Sequence, residues 1–173
     1  MTTPGSAKST RRNALQIFHV NVNCSDFDRS LAFYKLIGFE EVVDFTKLDD
    51  ERSFGEIGLG PLFRMPDRID GRATFLALGD DRWATRLDLI EWTEPKPQPI
   101  PKRTLAHLGI ARICLKVRDC FELHGKLKAA GYDVYSEPEL IRMGGTEQYV
   151  FCCEDPDGVV IEFMQFARKL KAQ

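Results

Sequence analysis

The chain has 173 residues, and its 43% hydrophobic content is enough to build one core or two small similar ones. A formal net charge of −2 argues against a general electrostatic grip on nucleic acid, and no apolar run approaches the roughly 20 residues that span a bilayer. Five cysteines without a Cys-x-x-Cys spacing favour free thiols over a zinc knuckle or a disulfide framework. We therefore expect a cytoplasmic protein without nucleic-acid or membrane partners.

The first half of the chain predicts a strand, a helix and further strands. Strands are expected at 17–23, 39–45, 73–78 and 85–92, and a helix at 26–37. The segment 47–71 is expected to be mostly loop, with a short strand at 54–57. The first strand alternates, so His19 and Asn21 lie on the face opposite to Val20 and Val22. Ser25 or Asp26 can cap the helix. The charged loop at 47–71 connects the strands predicted at 39–45 and 73–78. Long loops of this kind often line a binding site.

The second half repeats this order after a linker with alternate prolines, which predicts a stiff extended spacer. Strands are expected at 110–117, 132–136, 147–153 and 159–166, and a helix at 119–130. The predicted organisation is a flexible tail (1–14), a first module (15–92), a proline-rich linker (93–106), a second module (107–167) and a frayed tail (168–173).

The two halves are internal repeats of each other. Positions 19 and 112, 26 and 119, 38 and 131, and 39 and 132 all differ by 93, and they carry the same strand, cap, helix, glycine and strand register. The last strands match at another offset, since positions 91 and 162 differ by 71. The loop at 47–71 absorbs the difference. Such self-similarity fixes architecture, and each half is predicted to be a β-α-β-β-β module.

Two segments carry a family resemblance: HVNVNCSDFDRSLAFYKLIGFE and DPDGVVIEFMQF. They resemble the vicinal oxygen chelate superfamily, which includes glyoxalase I, bleomycin-resistance proteins, methylmalonyl-CoA epimerase and extradiol dioxygenases. The resemblance covers roughly residues 15–167. It implies an α+β fold in which two paired βαβββ modules form an open cup of curved sheets. It also implies a small-molecule ligand and a homodimer, since members of the family commonly dimerise.

In that family the first and last strands of each module supply metal ligands. Carried over, these positions are His19 and Glu91 in the first module and Arg112 and Glu162 in the second. One alternative is a divalent ion (Zn²⁺, Ni²⁺, Co²⁺, Mn²⁺ or Fe²⁺) held by His19, Glu91 and Glu162, with Glu162 moving a proton. Arg112 weakens this alternative, because a guanidinium has no lone pair to offer a metal.

The other alternative places Arg112 where the metal would lie. Its planar fork would pair with Glu162 or Glu91 and neutralise two carboxylates that otherwise repel each other, or it would anchor an anionic oxygen of the substrate. Neighbouring candidates for substrate contact are Asn21 and Cys114 on the strands, and Phe54, Phe63 and Met65 in the long loop.

Three functions follow from these alternatives. The leading one is an enzyme with isomerase-, epimerase- or lyase-like proton-transfer chemistry on an oxygen-bearing substrate. Here His19, Glu91, Arg112 and Glu162 are the candidate catalytic residues. The second is a metal-free binding protein of the resistance type, which sequesters its ligand. The third is an interaction module with an inactive site.

Overall fold

A computed structural model describes residues 13–47, 52–99, 101 and 104–169 of the chain. These residues form two open four-stranded sheets, each accompanied by a ten-residue helix. The predicted α+β class with two β-α-β-β-β modules is therefore confirmed. Most of the two predicted tails lies outside the described residues. Within the described part of the chain, no helix is long and apolar enough to cross a membrane.

The helices and strands follow the same order in both modules, as the repeat predicts. The first module contains β1 (His19–Asn23), α1 (Phe27–Leu36), β2 (Glu40–Asp44), a short 3₁₀ helix (Phe45–Lys47), α2 (Leu59–Leu62), β3 (Asp70–Ala77) and β4 (Arg86–Glu94). The second contains β5 (Ile113–Lys116), α3 (Cys120–Ala129), β6 (Glu139–Met143), β7 (Thr146–Glu154) and β8 (Val160–Lys169). The strand order is β1-β4-β3-β2 in one sheet and β5-β8-β7-β6 in the other. The β1–β4 and β5–β8 pairs are parallel, and all other pairs are antiparallel.

Both ten-residue helices begin and end in the same way. The carboxylate of Asp26 accepts a hydrogen bond from the N–H of Arg29, and Asp119 accepts two from the first turn of α3. These bonds satisfy N–H groups that have no partner inside the helix. Gly38 and Gly131 follow the helices with φ of 106° and 80°, a conformation that glycine adopts at little cost. The caps predicted from the repeat are confirmed.

Each helix packs on one face of its own sheet, and the buried side chains of both modules form one cluster. Its main members are Val22, Phe27, Phe33, Tyr34, Leu76, Leu87 and Leu89 from the first module, and Cys120, Leu127, Phe151, Cys153, Ile161 and Phe163 from the second. Burying a large apolar side chain contributes roughly 1.5–3 kcal/mol, so this cluster is the main source of stability. The opposite sheet faces, which we call the open faces, carry other side chains of β1, β4, β5 and β8, among them those of Asn21, Asp88 and Glu162.

The turn Asp-Pro-Asp-Gly before β8 joins the second module to the start of α1 in the first. Asp157 accepts hydrogen bonds from the backbone N–H of Ser25, at 2.9 Å, and from the hydroxyl of Ser30, at 3.4 Å. The buried hydroxyl of Tyr34 donates to the buried carboxylate of Asp155 at 2.8 Å. We call this set of bonds the inter-module contact. It links the two modules through one buried bond, from Tyr34 to Asp155, and through more exposed bonds to Asp157.

The predicted strand at 54–57 is wrong, because this segment turns back on itself. The N–H of Ile57 bonds the carbonyl of Ser53 at 3.2 Å, and Gly58 has a φ of 84°. The N–H of Gly55 bonds the carbonyl of Ile69 at 3.0 Å, which closes a compact segment over residues 52–69. We call this segment the 52–69 excursion. It sits in the long loop that the sequence predicts, and α2 is its only regular element among the described residues.

The predicted strand at 132–136 is also wrong in its extent. Val134 forms only an isolated bridge with Cys153, supported by a 2.9 Å bond from the N–H of Tyr135 to the carbonyl of Cys152. The neighbour of β7 is instead β6, which lies between this segment and the Gly-Gly turn. All five residues of β6 are exposed, so no burial pattern marks it in the sequence.

Candidate functional site

The register of β1 and β4 decides which side chains share the open face of the first sheet. His19 lies opposite Arg86, and Asn21 lies opposite Asp88. Residues paired in adjacent strands project to the same side of a sheet, and their neighbours along the strand project to the other. His19, Asn21, Arg86 and Asp88 therefore share one face. Phe75 of β3 lies opposite Asp88 and belongs to the same face.

His19 and Asp88 form the first charged pair of this face. The Nε2 atom of His19 lies 3.9 Å from Oδ2 of Asp88, with side-chain exposures of 39% and 14%. Burial raises the pKa of Asp88, and the nearby imidazole opposes that rise. The amide of Asn21 donates to the backbone carbonyl of Asp88 at 3.1 Å, which ties the two strands together beside the pair. The pair thus combines an accessible ring with a mostly buried carboxylate.

The structure corrects the placement of Glu91, which the sequence pattern groups with His19. Glu91 is three residues beyond Asp88 and projects to the helix side. There its Oε2 atom accepts a hydrogen bond from the N–H of Phe27 at 3.3 Å, in the first turn of α1. The equivalent hydrogen bond in the second module is made by Gln165, whose side-chain oxygen accepts from the N–H of Cys120 at the start of α3, at 2.8 Å. Glu91 therefore stabilises the N-terminus of a helix, where a negative charge is favourable.

The same register corrects the offset between the last strands of the modules. Asn21 pairs with Asp88 in the first sheet, and Cys114 pairs with Glu162 in the second. Positions 88 and 162 differ by 74, so Asp88 is the counterpart of Glu162. Sequence reasoning missed Asp88, although a signal was present. In Asp-Leu-Ile-Glu and Glu-Phe-Met-Gln, a carboxylate comes first and the helix-bonding side chain comes fourth.

Arg112 and Glu162 form the second charged pair, on the open face of the second sheet. The Nε atom of Arg112 donates a hydrogen bond to Oε2 of Glu162, and the side chains are 45% and 11% exposed. Cys114 and Cys152 lie on either side of Glu162 in the neighbouring strands. Burial, followed by the Glu162 carboxylate, raises the pKa of the Cys114 thiol to about 11. Cys114 is therefore a protonated hydrogen-bond donor rather than a reactive thiolate.

A cleft of about 360 Å³ between the modules brings residues of both open faces together. Its walls include Asn21 and Asn23 of β1 and Arg112 just before β5. The segment after the linker contributes Leu105 and Leu108, which are 40% and 97% exposed. The cleft is thus lined by Asn21, a predicted contact residue, and by Arg112, whereas His19, Asp88 and Glu162 are not among its lining residues.

Aromatic rings surround His19 on its sheet. The ring of His19 lies 5.5 Å from that of Phe75 and 5.6 Å from that of Phe18. Phe45, from the 3₁₀ helix, packs edge-on against Phe75 at 4.9 Å. The guanidinium of Arg86 lies 5.1 Å from the centre of the Phe18 ring and 5.4 Å from that of Phe75. Phe18, Phe75 and Arg86 are not among the site residues predicted from the sequence.

The three loop residues predicted to contact substrate lie in the 52–69 excursion. The ring of Phe54 packs against that of Trp92, with centres 5.6 Å apart, and Trp92 shares the open face with Asp88. Phe63 ends α2 and is 51% exposed, and Met65 is partly buried beside it. Neither Phe63 nor Met65 is among the residues that line the cleft.

The donors on the open faces do not fit a divalent metal. Among the described residues, no group of three or more His, Cys, Asp or Glu side chains is arranged to hold an ion. His19 has Asp88 beside it, but Glu91 projects to the helix side and Glu162 is bonded to Arg112. A guanidinium cannot be a ligand, so the expected centre of His19, Glu91 and Glu162 is not assembled.

Comparison with known proteins gives a consistent result. Residues 16–163 match the model of the Glyoxalase/Bleomycin resistance protein/Dioxygenase superfamily. A glyoxalase family protein from Bacillus cereus has a similar structure, with a TM-score of 0.72 at 14% identity over 91% of this chain and 97% of that one. The trypanothione-dependent glyoxalase I of Leishmania major has a TM-score of 0.56 at 19% identity, over 88% and 87% of the two chains.

A third similar structure is a glyoxalase family protein from Enterococcus faecalis, with a TM-score of 0.55 at 20% identity over 86% of this chain and 96% of that one. No match is found among curated proteins. At these identities the structures show the fold, and the family model covers most of the sequence. The chain therefore belongs to the glyoxalase/bleomycin resistance protein/dioxygenase superfamily, as its resemblance to vicinal oxygen chelate proteins predicts.

Proposed function

We propose that this chain is an enzyme that moves a proton on a small oxygen-bearing substrate, in an isomerase-, epimerase- or lyase-like reaction. The observation that supports it most is the presence of one charged pair on each module, at equivalent positions. His19 with Asp88 occupies the place in the first sheet that Arg112 with Glu162 occupies in the second. An acid–base group and a fixed cation are thus presented on the two open faces.

His19 is the proposed acid–base group. Imidazole is the side chain that serves most often as a general acid or base, and the half-exposed ring of His19 is open to a substrate. One ring nitrogen faces the carboxylate of Asp88, which stabilises the imidazolium formed when the other nitrogen takes a proton from carbon. Asp88 is therefore a positioning residue. The distance of 3.9 Å from His19 Nε2 to Asp88 Oδ2 is longer than a hydrogen bond, and we expect it to shorten when substrate binds.

Arg112 is the proposed partner of the oxygen on which negative charge develops. Its Nε atom is used by Glu162, while its terminal amino groups have no hydrogen-bond partner in the part of the chain that the structure describes. Fixed donors aimed at a developing charge usually contribute more to such catalysis than any other effect. Members of the superfamily typically use a divalent metal for this purpose. Here the guanidinium supplies the positive charge, and Glu162 orients it rather than serving as the base.

The test is hydrogen–deuterium exchange in D₂O, followed by proton NMR, with EDTA-treated protein and a panel of small ketones and 2-oxo acids. We expect exchange at the carbon next to the carbonyl, and His19→Gln should slow it by roughly 10²–10⁴-fold. Glu91→Gln is the matched control, because its side chain lies at a helix end, and it should exchange as the unmutated chain does. Exchange that appears only after a divalent ion is added would overturn the proposal.

A metal-free binding protein of the resistance type is the second candidate. It is favoured by the pairing of Glu162 with Arg112, which leaves no unpaired carboxylate at that position, and by the half-exposed Phe18 beside the site. Saturable one-to-one binding of an aromatic compound in calorimetry, without exchange or turnover, would support it. Superfamily members are commonly small-molecule-binding dimers. A homodimer and a cytoplasmic location stay predictions for this chain.

A further inference from the structure

We propose that Arg86 binds an anionic group of the substrate, and that the substrate class is a small organic anion with a flat apolar body. This inference deepens the proposed function and rests on it, because it concerns the same open face. It starts from the position of Arg86, which lies directly opposite His19 in the paired strands β1 and β4. Its backbone N–H bonds the carbonyl of Phe18 at 3.0 Å, so the start of β4 is fixed against the start of β1.

The surroundings of Arg86 differ from those of four other arginines. Arg29, Arg72, Arg112 and Arg142 each have a carboxylate within 4 Å, from Asp157, Asp28, Glu162 and Glu147 respectively. Within residues 13–47, 52–99, 101 and 104–169, no carboxylate lies within that distance of Arg86. Its neighbours are instead the faces of two aromatic rings. The protein thus positions this cation through cation–π contacts and leaves its N–H donors without an ionic partner.

This arrangement suits a carboxylate or phosphate. A guanidinium keeps its charge at any physiological pH, and its planar fork of N–H donors matches two oxygens of an oxyacid anion. Arg86 is partly buried, so it has lost part of its hydration, and an anion that binds it recovers a charge-assisted hydrogen bond. Asp88 cannot take this part, because its carboxylate faces His19 on the same strand face and makes no ion pair with Arg86.

The rings beside Arg86 define the rest of the ligand. Phe18 is 50% exposed although it flanks the site, and Phe75 is packed edge-on by both Phe18 and Phe45, at 6.0 and 4.9 Å. A flat apolar body resting on these rings would cover Phe18 from water. Its anionic group would then lie at Arg86, and its opposite end near the imidazole of His19, whose ring centre is 5.5 Å from that of Phe75.

The experiment compares three probes on the full chain by NMR titration: benzoate, its neutral counterpart benzamide, and phenyl phosphate. Benzoate or phenyl phosphate should bind at least roughly tenfold more tightly than benzamide, the difference that one charge-assisted hydrogen bond makes. Tighter binding of phenyl phosphate assigns a phosphate-bearing substrate, and tighter binding of benzoate assigns a carboxylate. Equal affinity for all three probes would overturn the proposal. So would the absence of saturable binding of benzoate and phenyl phosphate at probe concentrations of tens of millimolar.

Variants then assign the preference to Arg86. Arg86→Leu should abolish the difference between anion and amide, and Arg86→Lys should retain part of it. Arg82→Leu is the matched control, because this exposed arginine also lies over an aromatic ring, that of Trp83, at 4.6 Å. An anion preference that survives Arg86→Leu would refute the assignment. His19→Gln should keep the preference while losing proton exchange, so the failure of either proposal can be recognised separately.

Discussion

Tyr34→Phe tests whether the inter-module contact holds the two modules together. The hydroxyl of Tyr34 donates to Oδ2 of Asp155 at 2.8 Å, and the two residues are 0% and 4% exposed. Burial raises the pKa of both groups, and the carboxylate of Asp155 raises that of Tyr34 further. The substitution removes one oxygen and leaves the ring, which packs edge-on against Phe33 and Phe39 at 5.1 and 5.8 Å. It therefore deletes the hydrogen bond with little change in packing.

The expected loss of stability depends on the hydrogen bonds that Asp155 retains in the variant. Its Oδ1 atom still accepts from the N–H groups of Asp157 and Val159, at 2.9 and 2.8 Å, so the carboxylate is not left without partners. A hydrogen bond to a charged group contributes about 1.5–3 kcal/mol, and we expect the free energy of unfolding at pH 7 to fall by about 2 kcal/mol. For a chain of this size that corresponds to a decrease in Tm of about 4–8 °C.

Urea unfolding followed by tryptophan fluorescence and calorimetric Tm measure the loss. It should shrink as the pH falls through the folded pKa of Asp155, which burial holds above its usual value, because the lost bond favours the ionised carboxylate. Tyr135→Phe is the control, since its hydroxyl bonds Glu154 at 2.6 Å but the residue is 46% exposed, and it should cost less than about 0.5 kcal/mol. Equal losses in both variants would refute the argument.

Three further predictions concern Glu91 and Asp88 of β4 and the pair of Arg112 with Glu162. Glu91→Gln keeps an acceptor for the first turn of α1 and should change the unfolding free energy by less than about 0.5 kcal/mol. Glu91→Ala should lower the unfolding free energy by about 1 kcal/mol without altering ligand binding. Loss of ligand binding in both variants would contradict the helix-side placement of Glu91. Burial raises the pKa of Asp88, so its contribution to stability falls as the pH rises above about 4. Asp88→Asn should therefore gain stability relative to the unmutated chain between pH 4 and 7 in urea titrations, and a constant difference would rule this out. Arg112→His places an imidazole beside Glu162 and Cys114, and it should bind Co²⁺ with a thiolate absorption band; no band at millimolar Co²⁺ would count against this arrangement.

The fold could be predicted because its signals are local and occur twice. Asp26 and Asp119 cap their helices, Gly38 and Gly131 end them, and the offset of 93 shows that both halves use one plan. Each of these features depends on residues a few positions apart. No tertiary contact is needed to recognise them, and all of them appear in the structure where the sequence places them.

The site could be predicted only in part, because side chains alternate along a strand. Matching the last strands at an offset of 71 instead of 74 is an error of three residues, an odd number. In a strand an odd shift moves every side chain to the other face. The offset of 71 therefore groups Glu91 with His19, although Glu91 projects to the helix, and it overlooks Asp88. Both matches align apolar residues equally well, and the pairing of β1 with β4 decides between them.

The 52–69 excursion could not be derived for a different reason. Its turns are fixed by close approaches between distant backbone atoms, which leave no periodic pattern. A Cβ atom on Gly55 would lie 2.5 Å from the carbonyl oxygen of Asp67, and one on Gly60 would lie 2.5 Å from that of Pro66. These glycines are present because no side chain fits there.

The two offsets, 93 and 74, differ by 19 residues, and the additional residues of the first module lie in this excursion and its flanks. The duplicated modules therefore supply the charged pairs symmetrically, while only one of them supplies a covering segment, which reaches the open face through Phe54 and Trp92. The residues of the charged pairs and this additional segment are thereby encoded in different parts of the gene. A side chain at Gly55 or Gly60 would disturb the excursion, because its Cβ atom would lie 2.5 Å from a backbone oxygen, and it would leave every residue of the charged pairs unchanged.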